Sequence, residues 1–346
     1  MKKISLILVA LLLVSLFTGC AGTPVIYYTD CTCPAGSHTN TPNAGTAEGA
    51  VKTGLAIVAG VGKSENAKVA DYDVTVVAVT VDDKGVIQDC IIDSVGAKVN
   101  FDATGTVTSD LKAQILTKNE LGDNYGMKKA GAKYEWYEQA AALAAYAKGK
   151  TVAELKKGAV NESGKAADAD LATTATIYLG GYVAAIEKAV ANAQHLGAQA
   201  GDTLKLAVTN AVDSSVSATA DKAGTAQLDC NAVALTEKDG VITSCVLDAV
   251  QAKVSFDNKG VISTDLKAQI LTKNELKEDY NMKKYGATYE WYEQAASFAK
   301  YVTGKTPAAV AGIAVNEKTV PTDADLATSV TIAVGGFQTL IAKAFR

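Results

Sequence analysis

Leu111–Leu121 reads LKAQILTKNEL, and Leu266–Leu276 reads LKAQILTKNEL again. The copies lie 155 residues apart (266 minus 111), and the same offset separates Trp136 from Trp291, Cys90 from Cys245, and YEWYEQAA at Tyr134–Ala141 from YEWYEQAA at Tyr289–Ala296. A constant offset leaves no insertion between those points, and it is far above the roughly 20–50 residues of a solenoid period. The chain therefore reads as one globular domain present twice, at 51–198 and 199–346.

Working outward from the repeated run, strand signals lie before it and helix signals after it. Val74–Val81 and Val86–Val95 are rich in β-branched residues and flank Asp82-Asp83-Lys84-Gly85. In the second copy Leu235 and Thr236 precede Glu237-Lys238-Asp239-Gly240, and Val241 follows. Each is a hairpin in which glycine supplies a positive φ. Ala97–Phe101 and Gln251–Phe256, each followed by a glycine-containing turn, suggest a third strand and another hairpin. Downstream, Trp136–Lys148 and Trp291–Val302 are alanine-rich helices, and Thr151–Lys157 is a short helix opened by a threonine cap. Leu179, Tyr182, Val183, Ile186 and Val190 recur at helical spacing, matched by Val334, Phe337, Gln338, Ile341 and Phe345. Strands first and helices second predict an α+β fold, each copy an antiparallel sheet with packed helices.

The N-terminus carries Lys2 and Lys3, an apolar run from Ile4 to Phe17, and then Thr18-Gly19-Cys20. That is the layout of a secretory signal peptide, with an apolar run too short to span a bilayer comfortably. With Leu16 and Phe17 just upstream, Gly19-Cys20 resembles the lipobox of bacterial lipoproteins, which implies cleavage after residue 19 and lipid on Cys20. Residues 20–50 are rich in Thr, Pro, Gly, Ser and Asn and read as a flexible tether at the outer face of the cell membrane.

Net charge is −4, or −6 once Lys2 and Lys3 are removed, so no basic surface for nucleic acid is indicated. The only two histidines, His38 and His195, fall in the tether and between the copies, which disfavours histidine metal clusters and histidine triads. Cys230 and Cys245, if opposed across their hairpin, suit a cross-strand disulfide in an exported protein. The first copy has Thr75 and Cys90 there and cannot form it. Cys90 reads as a small buried apolar side chain. Cys31 and Cys33 read equally as a redox or metal feature and as exposed thiols of no special role.

The candidate chemistry lies just before the last helix of each copy. Asp170-Leu171-Ala172-Thr173-Thr174-Ala175-Thr176 is matched by Asp325-Leu326-Ala327-Thr328-Ser329-Val330-Thr331. These resemble the D-x-x-S/T-G-A-S/T pattern of the FMN-binding domains in flavinylated subunits of sodium-pumping quinone reductase and Rnf complexes. The family's Gly is Thr174 in one copy and Ser329 in the other, and its Ala is Val330 in the second. Tyr125-Gly126-Met127-Lys128-Lys129, Tyr280-Asn281-Met282-Lys283-Lys284 and the Glu-Trp-Tyr-Glu-Gln stretch extend the likeness over most of the chain after the tether, where it resembles PplA-type lipoproteins with two FMN domains.

The resemblance implies that a flavin transferase, using FAD and magnesium, attaches FMN through its phosphate to Thr176 and Thr331. It also implies an extracellular electron carrier, taking electrons from a membrane dehydrogenase or quinol and passing them to an extracellular acceptor or partner reductase. A threonine near a helix start would place a phosphodiester where backbone N–H groups and the dipole favour an anion. Gly180-Gly181 and Gly335-Gly336 would permit close approach.

Asp170, Asp325, Thr173 and Thr328 also suit ordinary helix caps, though capping accounts for one Asp or Thr and not for the spacing shared by both copies. Trp136 and Trp291 suit either stacking on the flavin ring or plain core packing. Lys128, Lys129, Lys283 and Lys284 suit either a charge on reduced flavin or phosphate, or solvated lysine pairs. Met127 and Met282 suit packing first and a flavin contact second. The competing functions are a terminal flavin reductase and a non-redox surface lipoprotein or antigen.

Overall fold

In a strand, successive side chains face opposite sides, and the valine-rich segments of this chain bury both. Val74, Val76 and Ala78 enter one apolar cluster, and Val77, Val79 and Val81 enter another. That explains their near-continuous apolar character, since a strand covered on both faces has no need of polar alternation.

The computed structural model describes residues 49–346, so the signal segment 1–19, Cys20, Cys31, Cys33, His38 and nearly all of the tether lie outside the described residues. In the first half β1 (Lys52–Gly60), β2 (Val69–Val81) and β3 (Ile87–Asn100) form an antiparallel sheet in the order β1-β2-β3. There follow α1 (Lys118–Leu121), α2 (Trp136–Ala147), α3 (Val152–Ala159), α4 (Ala169–Thr174) and α5 (Gly180–Ala191). In the second half β4 (Thr203–Ala211), β5 (Gly224–Lys238) and β6 (Val241–Phe256) make the second three-stranded antiparallel sheet, in the order β4-β5-β6. After it come α6 (Lys273–Leu276), α7 (Trp291–Val302), α8 (Pro307–Ala311), α9 (Ala324–Ala327) and α10 (Gly335–Ala344). No helix among the described residues is long and apolar enough to cross a membrane.

Two sequence expectations change. Ala97–Asn100 and Gln251–Phe256 continue β3 and β6, and the third strand of each sheet is β1 or β4, ahead of the hairpin. Gly96, which looks like a strand end, sits inside the ladder opposite Asp73. The proposed disulfide is also excluded: Cys230 pairs with Val250 and Cys245 with Leu235, and the two thiols enter clusters on opposite faces of the sheet. Both are free, and burial pushes each thiol up to about 12.

The sheets face each other across one shared core, to which both halves contribute. Phe101 and Phe256, 155 apart, stack there with centroids 4.0 Å apart and planes within 2°. Helices cover the two outer faces, giving four layers, helix-sheet-sheet-helix. The contacts between halves exchange partners as a two-fold axis would: Lys188 of α5 pairs with Glu275 at 2.9 Å, and Lys343 of α10 with Glu120 at 2.7 Å. Ala67 N–H donates to Gly260 O at 2.7 Å, and Ala218 N–H to Gly105 O at 2.8 Å.

The identical LKAQILTKNEL run serves this junction. Leu111, Ile115, Leu266 and Ile270 pack against the shared core, and Ile270 bridges to Ala59 of β1. Its Thr117 and Thr272 open α1 and α6 with complete capping boxes. The side chains of Asn119 and Asn274 hydrogen-bond Ile92 O and Leu247 O, each at 2.9 Å.

Candidate functional site

Among the described residues, eight of the ten α-helices start on a polar residue whose side chain, or whose first-turn glutamate, closes the end. The exceptions are α5 and α10, whose N-cap positions hold Leu179 and Val334 and make no side-chain cap. An uncapped start leaves backbone donors and the positive end of the dipole without an internal partner. At both starts stands Gly-Gly.

A Cβ added to Gly180, Gly181 or Gly336 would meet nothing within 4 Å, and none of the three has a positive φ. Neither packing nor backbone conformation inside this chain calls for glycine there, although glycine in a helix costs up to about 1 kcal/mol relative to alanine. Gly335 alone is confined, by the side chain of Thr319 at 3.0–3.2 Å.

Three residues ahead of each N-cap, Leu179 and Val334, stands the threonine. Buried Ala175 and Leu179, and in the second half Val330 and Val334, pin the loop from below, leaving Thr176 and Thr331 exposed. One fully buried glutamine holds each. Gln139 Oε1 accepts from Thr176 N–H at 2.8 Å, Thr176 Oγ1 at 3.2 Å and Ile177 N–H at 3.1 Å. Gln294 Oε1 accepts from Thr331 N–H at 2.8 Å, Thr331 Oγ1 at 3.2 Å and Ile332 N–H at 3.2 Å. Their amide groups donate to Tyr134 O at 3.0 Å and Tyr289 O at 2.9 Å, fixing which end of each amide faces the threonine. A carboxamide cannot take a proton at neutral pH, so it orients the hydroxyl without activating it.

The other sequence-predicted residues fall as follows. Asp168 and Asp323, not Asp170 and Asp325, cap α4 and α9. Asp170 and Asp325 sit exposed in the first turn, and Thr173 and Thr328 donate back to their carbonyls at 2.7 and 3.4 Å. Trp136 and Trp291 are buried, 2% and 6% exposed, one helical turn before the glutamines. Core packing is thus their place in the fold. Trp136 Nε1 donates to Tyr182 OH at 2.9 Å, while Trp291 meets Phe337 edge-on at 5.9 Å. Met127 and Met282 pack against the same outer cores.

Lys128 and Lys283 are engaged by the first-turn glutamates, Glu138 and Glu293, each at 2.7 Å. Those hydrogen bonds raise both lysine pKa values and lower both glutamates. The loop carrying the lysines is tied by buried Glu135, which accepts from Met127 and Lys128 N–H at 2.8 and 3.0 Å, and likewise by Glu290.

Sequence reasoning missed the two glutamines and, in the first half, Lys165 and Tyr178. The signal for the glutamines was available: a polar residue on the buried face of a helix, at the same place in both copies. Lys165 Nζ donates to Thr176 O at 2.6 Å and lies 4.3 Å above the ring of Tyr178, which is 68% exposed. The second half has Val320 and Ala333 there, so the repeat gave no hint. Comparison with protein-family models, curated proteins and solved structures finds no match for this chain.

Proposed function

We propose that the chain is a tandem duplication of one FMN-binding module, with FMN joined covalently through its phosphate to Thr176 and Thr331, and that it carries electrons. The observation that supports this best is the coincidence, found twice, of an exposed threonine hydroxyl with an uncapped glycine-opened helix start. An anion attached to either hydroxyl would lie close to bare backbone donors, an arrangement worth about 0.3–1 kcal/mol at a surface. The exchanged contacts between halves support the duplication.

Bound FMN supplies reversible one- and two-electron chemistry, and the protein's part is to hold and tune it. Thr176 Oγ1 forms its bond to the phosphorus on the flavin side of the FAD pyrophosphate. The pyrophosphate bond breaks, AMP leaves, and the hydroxyl proton passes to solvent. A magnesium-dependent flavin transferase provides the activation that Gln139 cannot. In this reading Cys20 is lipidated and the protein stands at the outer face of the membrane, between a membrane dehydrogenase or quinol and an extracellular acceptor or reductase.

The test is the intact mass of protein produced with an active transferase. Two FMN units are expected, still attached after denaturation. Thr176→Ala should lose one unit and Thr331→Ala the other. Unmodified peptides at both positions, beside a control substrate that the same transferase does modify, would refute the proposal.

A further inference from the structure

A cleft of about 1090 Å³ runs along the edge strand β6, walled by residues 245–248 of that strand, by α7, by Leu55 of β1 and by residues 191–196 at and beyond the end of α5. At the corresponding place on the first half, between β3 and α2, the hollow is about 270 Å³. The walls of the large cleft are mainly apolar: Leu55, Val246, Leu247, Ala296 and Ala299, with Cys245 at the base, 4% exposed.

Lys277 and Lys300 line the same cleft. Their counterparts in the first half are Gly122 and Ala145 (277 and 300 minus 155). Lys277 has φ 47° and ψ −118°, where Gly122 has φ 49° and ψ −126°. That is a conformation natural to glycine and strained for any residue with a Cβ. The second half therefore places a cation, against backbone preference, at the mouth of its large cleft.

The other charged groups there are accounted for. Glu275 is paired with Lys188 at 2.9 Å, and His195 with Asp83 at 2.8 Å. Glu278, next to Lys277, accepts from Tyr292 OH at 2.9 Å. Asp248 is 5% exposed and accepts from Ala249 and Asn274 N–H, and burial pushes its carboxyl up to about 6. Lys277 and Lys300 have no ion-pair partner among the described residues.

We propose that this cleft binds an organic anion, a flat apolar ring system bearing one carboxylate or sulfonate, with the ring among the accessible apolar lining residues Leu196, Val246 and Ala296 and the acid group at Lys277 and Lys300. The site is independent of the covalent cofactor, so the full chain tests it with or without flavin. Apolar walls with few convergent polar groups are the usual make-up of a small-molecule site, and two cations at the rim fix the sign of the ligand.

The experiment is calorimetric titration of the full-length protein with naphthalene-2-sulfonate, and in parallel with neutral naphthalene-2-sulfonamide. One sulfonate per chain is expected to bind, more tightly than the sulfonamide. Lys277→Gly, which restores the first half's residue, and Lys300→Ala should each weaken binding by roughly fivefold or more. Ala296→Trp, which fills the cleft from its exposed side, should abolish it. Two equal sites per chain, no preference for the anion, no binding at millimolar ligand, or unchanged affinity in the Lys277→Gly, Lys300→Ala double variant would each overturn the proposal.

Discussion

Thr176 and Thr331 hang from matching glutamines, Gln139 and Gln294, by the same three hydrogen bonds, yet different residues surround them. Around Thr176 stand a lysine and an exposed tyrosine, Lys165 and Tyr178; around Thr331 the matching residues are Val320 and Ala333. On the far side the contrast runs the other way, with Gly122 and a small hollow in the first half and Lys277 and a large cleft in the second. What the halves share is the presentation of a hydroxyl and the joint between them. What they vary is the charge and apolar surface around those fixed points, which is how two similar sites acquire unequal properties.

The joint offers the strongest way to break the comparison. If the halves stand or fall together, damage at the stacked Phe101–Phe256 pair must be felt by both. Phe101→Ala should cost about 3–5 kcal/mol, as for a large buried aromatic. Chemical denaturation followed at Trp136 and at Trp291 separately should give one coincident transition. Two transitions, with only the first shifted, would mean independent domains.

Next in size is a pH effect that the second half should show more strongly. Asp248 titrates near 6 in the folded protein because burial outweighs its hydrogen bonds from Thr272, Asn274 and Ala249. An unfolded aspartate titrates near about 3.9. The folded state therefore holds this proton more tightly, so this group's own contribution to stability is full below about pH 4 and is lost as pH rises towards 6, by on the order of 3 kcal/mol. Asp93 is raised in the same direction by the same cause. Relative to the parent, Asp248→Asn should gain stability measured by denaturation as pH rises from 4 to 6, and by more than Asp93→Asn does. An unchanged profile would show that water or relaxation already solvates the carboxyl.

Smaller still is the turn where the halves differ by glycine and lysine. Lys277→Gly should stabilise the protein by roughly 1–2 kcal/mol by relieving a left-handed backbone, and Gly122→Lys should destabilise it by a similar amount. A thermal melt in which Lys277→Gly is neutral or harmful would mean that the lysine stem repays the strain through packing.

Much of this architecture was legible because the repeat fixed which residues to compare. The hairpins, the alanine-rich helices and the final amphipathic helices follow from alternation, turn chemistry and 3.6-residue spacing. The first strand of each sheet was not legible: KTGLAIVAG at Lys52–Gly60 follows directly on a polar stretch and is broken by glycines, and its ladder is formed with β2, with single bridges to Gln194 and Ile270 on its other edge. The disulfide expectation failed because two cysteines near one hairpin say nothing about register, and here they lie on opposite faces. At the candidate site the threonines were visible from a motif, whereas Gln139 and Gln294 show only as a polar residue on the buried face of an alanine-rich helix, a signal that names no partner.

The finest contrast is Lys165. Its ammonium is 2.6 Å from the carbonyl of Thr176, so it both braces the loop and places a positive charge near the hydroxyl that FAD must approach in the proposed modification. As a brace, its loss would alter the loop but treat every approaching reactant alike. As a charge, it would attract the anionic pyrophosphate, and salt would weaken that attraction. With limiting transferase, Thr176 should then be modified faster than Thr331 by a factor of a few, under about 1 kcal/mol in barrier, and the gap should close as salt rises. Lys165→Val should bring the two rates together, and Val320→Lys should speed Thr331. Peptide mass spectrometry over a time course reads both positions in the same molecule, so each threonine is the other's control. Equal rates at low salt would assign Lys165 to the brace alone and leave the two hydroxyls equivalent in charge as well as in geometry.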